Sequence, residues 1–196
     1  MPGEWKDLFD GSTLAGWKAT GNADAWSVDD GMIKCTPNKG GNLCTEEQYG
    51  DFELLLEYKT EPKTNSGVFF RISDLADCVH TGFEIQILDT HGKEEMGSHD
   101  SGALYDLVAP KVNAVKPAGE WNTMRVQAKG KDIEVDLNET RVVEADIDLW
   151  DTAGKNPDGT PNKFKYAWKD MPKRGHIGLQ DHNGEIWFRN IRLREL

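Results

Sequence analysis

The sequence predicts an all-β fold, a two-sheet antiparallel β-sandwich of jelly-roll type. Three observations predict it. Apolar and polar residues alternate in most segments after Asp51, helical periodicity is nearly absent, and the 196 residues include 20 Gly and 8 Pro, which suits many tight turns. Short antiparallel strands without helices must bury their apolar faces against one another, and two stacked sheets achieve this.

The clearest strand is Asp51 to Thr60, where Phe52, Leu54, Leu56 and Tyr58 alternate with Glu53, Leu55, Glu57 and Lys59. Asn65 to Ile72 (NSGVFFRI) reads as a second strand. Phe83 to Leu88 is a third, with Phe83, Ile85 and Ile87 on one face and Glu84 and Gln86 on the other. Trp121 to Ala128 and Asp132 to Leu137 flank Lys129-Gly130-Lys131, a hairpin signal, and Arg141 to Ala145 extends the meander. Gly175 to Leu179 and Ile186 to Leu193 close the chain around the polar turn DHNGE. One short turn is expected near Thr45 to Tyr49. Asp148 to Pro172 is polar, rich in Gly and Pro, and lacks alternation, so it reads as a long surface loop, a length often tied to function. No internal repeat, low-complexity tract or linker is visible. Residues 1–196 therefore read as one domain with a loop insertion at about 148–172.

A net charge of -11 and an acidic pI of about 4.9 disfavour a phosphate backbone or an anionic membrane surface, so no nucleic-acid partner is expected. No apolar run approaches the roughly 20 residues of a membrane span. MPGEWKDLFDG has neither a basic n-region nor an h-region, which leaves a cytoplasmic protein or a mature form after signal removal. The three cysteines argue against a full disulfide framework. Cys35 and Cys44 flank the turn PNKGGN, where a hairpin-spanning disulfide competes with plain burial. No CxxC, HExxH or HxH spacing occurs, and NPDGTPN lacks EF-hand spacing, so neither a metal nor a cofactor is expected.

The informative residues are on the outward strand faces. Asn65, Gly67, Phe69 and Arg71 share one face by parity, as do Glu84 and Gln86, with Asp89 just beyond. Gln180 and His182 share parity, Glu57 and Lys59 lie outward, and Tyr105 and Asp106 sit in SGALYDL. Acid, amide, guanidinium, imidazole and phenol together match the hydroxyls of a small carbohydrate, the expected ligand. For each residue alone, a solvated face or an ion pair is the alternative.

FDGSTLAGWK, NSGVFFR, GFEIQILD, SGALYDL followed by Pro110, GEWN and GHIGLQDHNGEIWFRNIRLREL, in this order, resemble the 3-keto-disaccharide hydrolase family. The matching blocks run from about Leu8 to Leu196. The resemblance implies a concanavalin A-like lectin/glucanase fold and cleavage of glycosides already oxidised at sugar C3. It also implies a bacterial, periplasmic or secreted setting, and site residues at Glu57, Arg71, Glu84, Gln86, Asp89, Tyr105, Gln180 and His182. A C3 ketone acidifies the C2 proton, so C2 deprotonation, elimination of the C1 substituent and water addition give net hydrolysis. In that scheme Glu84 or His182 is the base and Arg71 holds the enolate oxygen. Gln86 or Gln180 assists, and Tyr105 or Asp89 serves the leaving group. A direct two-carboxylate glycosidase, with Glu57, Glu84 and Asp89 as its acids, is the rival enzyme mechanism. Gln86 stands where a second acid of an ExDxxE strand would fall, which weighs against it. A lectin-like binding module is the non-catalytic alternative.

Overall fold

The computed structural model describes residues 3–196; Met1 and Pro2 of the N-terminal segment lie outside it. Thirteen strands are found among the described residues. β1 (Lys6–Asp7), β2 (Trp17–Ala19), β3 (Trp26–Asp29), β4 (Met32–Cys35) and β5 (Gly41–Thr45) come first. β6 (Phe52–Thr60), β7 (Asn65–Ile72) and β8 (Phe83–Leu88) follow, with a one-turn helix α1 (Cys78–Thr81) between the last two. β9 (Asn122–Lys129), β10 (Asp132–Leu137) and β11 (Thr140–Asp146) form the meander, and β12 (His176–Asp181) and β13 (Ile186–Glu195) close the chain.

These strands divide into two antiparallel sheets. The eight-stranded sheet runs β11-β10-β9-β6-β13-β4-β3, with β1 also pairing β13; the five-stranded sheet runs β2-β5-β12-β7-β8. The core lies between them. Phe52, Leu54, Leu56 and Tyr58 of β6 face Val68 and Phe70 of β7, Phe83, Ile85 and Ile87 of β8, and Ile177 and Leu179 of β12 in one apolar cluster. Phe52 meets Phe70 edge-on and Phe70 stacks on Phe83, geometries that aromatic quadrupoles favour. The β10–β11 hairpin turns on Asn138 and Glu139, both at positive φ, as a primed two-residue turn requires.

The expected sandwich is present, and the strands expected after Asp51 are found within two residues of their ends. Three details differ. Thr45 to Tyr49 forms an irregular bend that ends in a bridge to Gly175, and the helical turn lies at α1 instead. Cys35, Cys44 and Cys78 are all free. Cys35 lies on β4 and Cys44 on β5, in different sheets, so the turn between them crosses the sandwich instead of closing a hairpin. The 148–172 segment is also more than a surface loop. It includes the 3-10 turn Trp168–Asp170 and buries Trp150, Phe164 and Trp168. Trp168 stacks on Phe83 at 4.2 Å and receives Phe164 edge-on, so aromatic burial anchors this polar stretch to the sheet.

Candidate active site

The outer face of the five-stranded sheet carries a cavity of about 190 Å³. Its floor comes from alternate residues of neighbouring strands: Asn65 of β7, Glu84 and Gln86 of β8, and Gln180 of β12. Each points away from the core because its strand neighbours point into it. His182 follows β12, Val79 comes from α1, and Tyr105 and Lys163 complete the wall.

The segment 102–105 pairs alongside β8, with Gly102 N–H donating to Gln86 O, Gln86 N–H to Ala103 O and Tyr105 N–H to Glu84 O. This backbone ladder sets Tyr105 beside Glu84. Asp106 then ties two loops together: its carboxylate accepts the Lys163 backbone N–H at 2.8 Å and pairs with His99 Nε2 at 2.7 Å. The Lys163 ammonium stands 4.2 Å above the centroid of the Tyr105 ring, and the His99 ring stacks on the same phenol.

Glu84 is the unusual group. Its side chain is buried, and no hydrogen-bond donor reaches its carboxylate among the described residues. Burial pushes its carboxyl up to about 7, and the positive charge of Lys163 only partly offsets this. The carboxyl lies directly over Gly67, where any Cβ would overlap it. Burial, together with the charges of Glu84 and Asp106, raises the Tyr105 phenol, which therefore stays protonated. Gln86 donates its amide to Asn65 Oδ1 at 3.1 Å, while Gln180 Oε1 is buried without a donor. The cavity thus combines one poised carboxyl, a phenol, an imidazole, three amides and a cation.

Of the residues expected at the site, Glu84, Gln86, Tyr105, Gln180 and His182 come together. Three do not. Glu57 projects from the other sheet, where Arg189 Nε donates to it at 2.6 Å and Asn190 Nδ2 at 3.1 Å. Arg71 sits at φ 53° in a bulge of β7, where Phe69 pairs with Gly178 but Ile72 with His176. The extra residue inverts parity, so Ile72 joins Phe69 on the outer face. Arg71 instead turns to Gly130 O at 2.8 Å and Asp51 at 3.1 Å, buried far from the cavity. Asp89 is exposed beyond β8, accepts the Lys63 N–H at 2.9 Å, and does not line the cavity.

Three further residues line the cavity: Asn65, which alternation on β7 turns outward, and Lys163 and Val79, which the sequence did not mark. Lys163 belongs to a stretch without periodicity, and only the neighbouring aromatics in KFKYAW hint at an anchored segment. Val79 lies on a helical turn too short to leave a pattern. A larger cavity, about 470 Å³, opens on the outer face of the eight-stranded sheet around Glu57, Arg125, Asp136 and Arg192. Glu57 is paired with Arg189 there, and Asp136 with Arg125 and Arg141, while the other two carboxylates of its lining, Asp7 and Glu139, are exposed to solvent, so among the described residues the cavity holds no buried, unpaired acid comparable to Glu84.

Residues 4–194 match the family described as 3-keto-alpha-glucoside-1,2-lyase-like domains. The chain belongs to this family. A relative described as a 3-keto-disaccharide hydrolase, from Bacteroides thetaiotaomicron, is 27% identical over 96% of this chain and 77% of its own length. A crystal structure from Parabacteroides distasonis, described as a candidate glycosyl hydrolase, is 36% identical. It superposes with a TM-score of 0.88 over 98% of this chain and 100% of its own. A carbohydrate-binding module of Bacillus subtilis shares the fold at 13% identity, with a TM-score of 0.57 over 92% of this chain and 96% of its own. The family's sandwich is thus the concanavalin A-like architecture read from the sequence.

Proposed function

We propose that this protein cleaves 3-keto-glycosides by elimination across C1–C2, followed by water addition. The observation that carries the proposal is Glu84, a buried carboxyl without a hydrogen-bond donor whose burial pushes it up to about 7, facing a cavity otherwise lined by three amides, a phenol, an imidazole, Val79 and the Lys163 ammonium. A base poised near neutrality suits removal of a proton made acidic by an adjacent ketone. Glu84 takes the C2 proton and leaves an enolate at O3. Lys163, in the role expected of Arg71, stabilises that charge with an amide N–H of Gln86 or Gln180. When the ketone reforms, the C1–C2 double bond forms and the C1–O bond breaks. The leaving oxygen takes a proton from His182 or from the phenol of Tyr105. Water then adds at C1, C2 is reprotonated, and one water is consumed overall.

A two-carboxylate glycosidase needs a second acid across the bond, and among the described residues Glu84 is the only carboxylate lining the cavity. The deciding experiment is turnover of a 3-keto disaccharide in D2O. Elimination and readdition leave deuterium at C2 of the released keto sugar; direct hydrolysis leaves none and would overturn the mechanism. The fold shared with a carbohydrate-binding module favours a second reading, a non-catalytic sugar site. Binding of the keto sugar without turnover would establish that reading instead.

A further inference from the structure

A second cavity of about 370 Å³ adjoins the first. It is lined by the segment Lys39–Asn42 and shares Gln180 and His182 with its neighbour. The first cavity alone is smaller than the roughly 300–1,000 Å³ usual for a small-molecule site, whereas the two together reach that range.

The middle of this ledge, Gly40 and Gly41, carries no side chain. Gly41 has φ 117° and packs so closely on Gly21, in the bend after β2, that a Cβ at either residue would overlap the other segment's backbone. Asp181 pins the approach to the ledge, accepting the Asn38 N–H at 3.0 Å and the Gly40 N–H at 3.1 Å. Asn42 is 6% exposed, and its Oδ1 has no donor; across the boundary, Gln180 Oε1 has none either. A buried amide oxygen without a partner is costly, and a hydroxyl-bearing ligand would supply the missing donors.

We infer that the Lys39–Asn42 ledge binds the second sugar ring of a 3-keto disaccharide, the ring that departs. This rests on the reading of the first cavity as the reacting site. The direction follows from Glu84, which lines only the smaller cavity. The ring that loses its C2 proton must sit there, the scissile oxygen lies at the His182 boundary, and the leaving ring lies on the ledge.

The test compares kcat/KM for a 3-keto disaccharide with that for methyl 3-keto-glucoside, which has no second ring, in wild type and Asn42→Ser. The ratio between the two substrates should fall about tenfold in the variant, the worth of one hydrogen bond. The free leaving sugar should inhibit wild type more strongly than the variant. An unchanged ratio with unchanged inhibition, or an equal loss on both substrates, would overturn the ledge assignment. If wild type turns over neither substrate, the catalytic reading fails, and calorimetry then tests the ledge separately. In that case the disaccharide should bind at least about tenfold tighter than the methyl glycoside, an advantage that Asn42→Ser removes, and equal affinities would refute the ledge.

Discussion

Glu84 joins the proposed catalytic role and a stability cost in one side chain. Its raised folded-state pKa means that the native fold prefers the proton more than the unfolded chain does. Its contribution to stability is complete below the unfolded value of 4.5 and is lost as pH rises through about 7, on the order of 3 kcal/mol in all. Glu84→Gln should therefore melt higher than wild type at pH 8 and nearly level with it at pH 4, while turnover falls by roughly 10²- to 10⁴-fold. Thermal melts at both pH values and a rate assay check this. Gly67→Ala should keep the fold but displace the carboxyl, lowering kcat without abolishing sugar binding. Arg71 behaves oppositely. Replacing it by Ala empties a buried site and removes its bonds to Gly130 O and the part-exposed Asp51, and should destabilise by about 1–3 kcal/mol, with turnover per folded molecule unchanged. Period-two parity placed Arg71 on the site because nothing in NSGVFFRI marks a residue at positive φ, and the bulge there inverts the face. Glu57 was read correctly as outward, but alternation cannot say which of two sheets an outward face belongs to.

At the level of elements, the long segment after β11 is the wall of the cavity. Trp168 stacked on Phe83 and the Lys163 backbone bonded to Asp106 hold it in place. Trp168→Ala should cost about 3–5 kcal/mol in chemical denaturation and loosen the wall. Lys163→Met should leave the melting temperature unchanged while lowering kcat, and unaltered kinetics would exclude it from catalysis. The strands from β6 onward were legible because apolar residues alternate with polar ones along most of them, even in β7 and β8, where both faces are buried. The short strands β1 to β5 were not, since two to five residues are too few to show a period; β1 and β2 are also held by partners distant in sequence, and only β3 and β4 form a local hairpin. Five of the eight expected residues line one cavity: alternation on β8 and β12 brings out Glu84, Gln86 and Gln180, His182 follows at the same parity, and Tyr105 comes from the SGALYDL block. Lys163 was not legible, because an irregular loop carries no periodic signal.

For the whole molecule, two sets of carboxylates pull stability in opposite directions. Burial alone would raise Glu53, but hydrogen bonds from Arg125 and Arg194 outweigh it and hold this group below its ordinary range. Asp136 is likewise held down against its burial by Arg141 and Arg125. Groups with depressed folded values stabilise above the unfolded pKa and fail as pH falls through the folded one. Acid therefore dissolves the ladder on the eight-stranded sheet, and base strains the cavity on the other. The melting temperature should peak between about pH 5 and 6, whereas kcat/KM should still be rising through about pH 7. Coincident optima in a melt series and a rate profile would contradict this division.

A carboxyl still partly protonated at neutrality also differs in reactivity from the ionised acids around it. Diazo reagents esterify carboxylic acids and pass over carboxylates. A small one at pH 7 should therefore mark Glu84 first, on the peptide containing FEIQILD, and mass mapping would read this directly. The same asymmetry would make the site addressable by a covalent probe that needs no sugar.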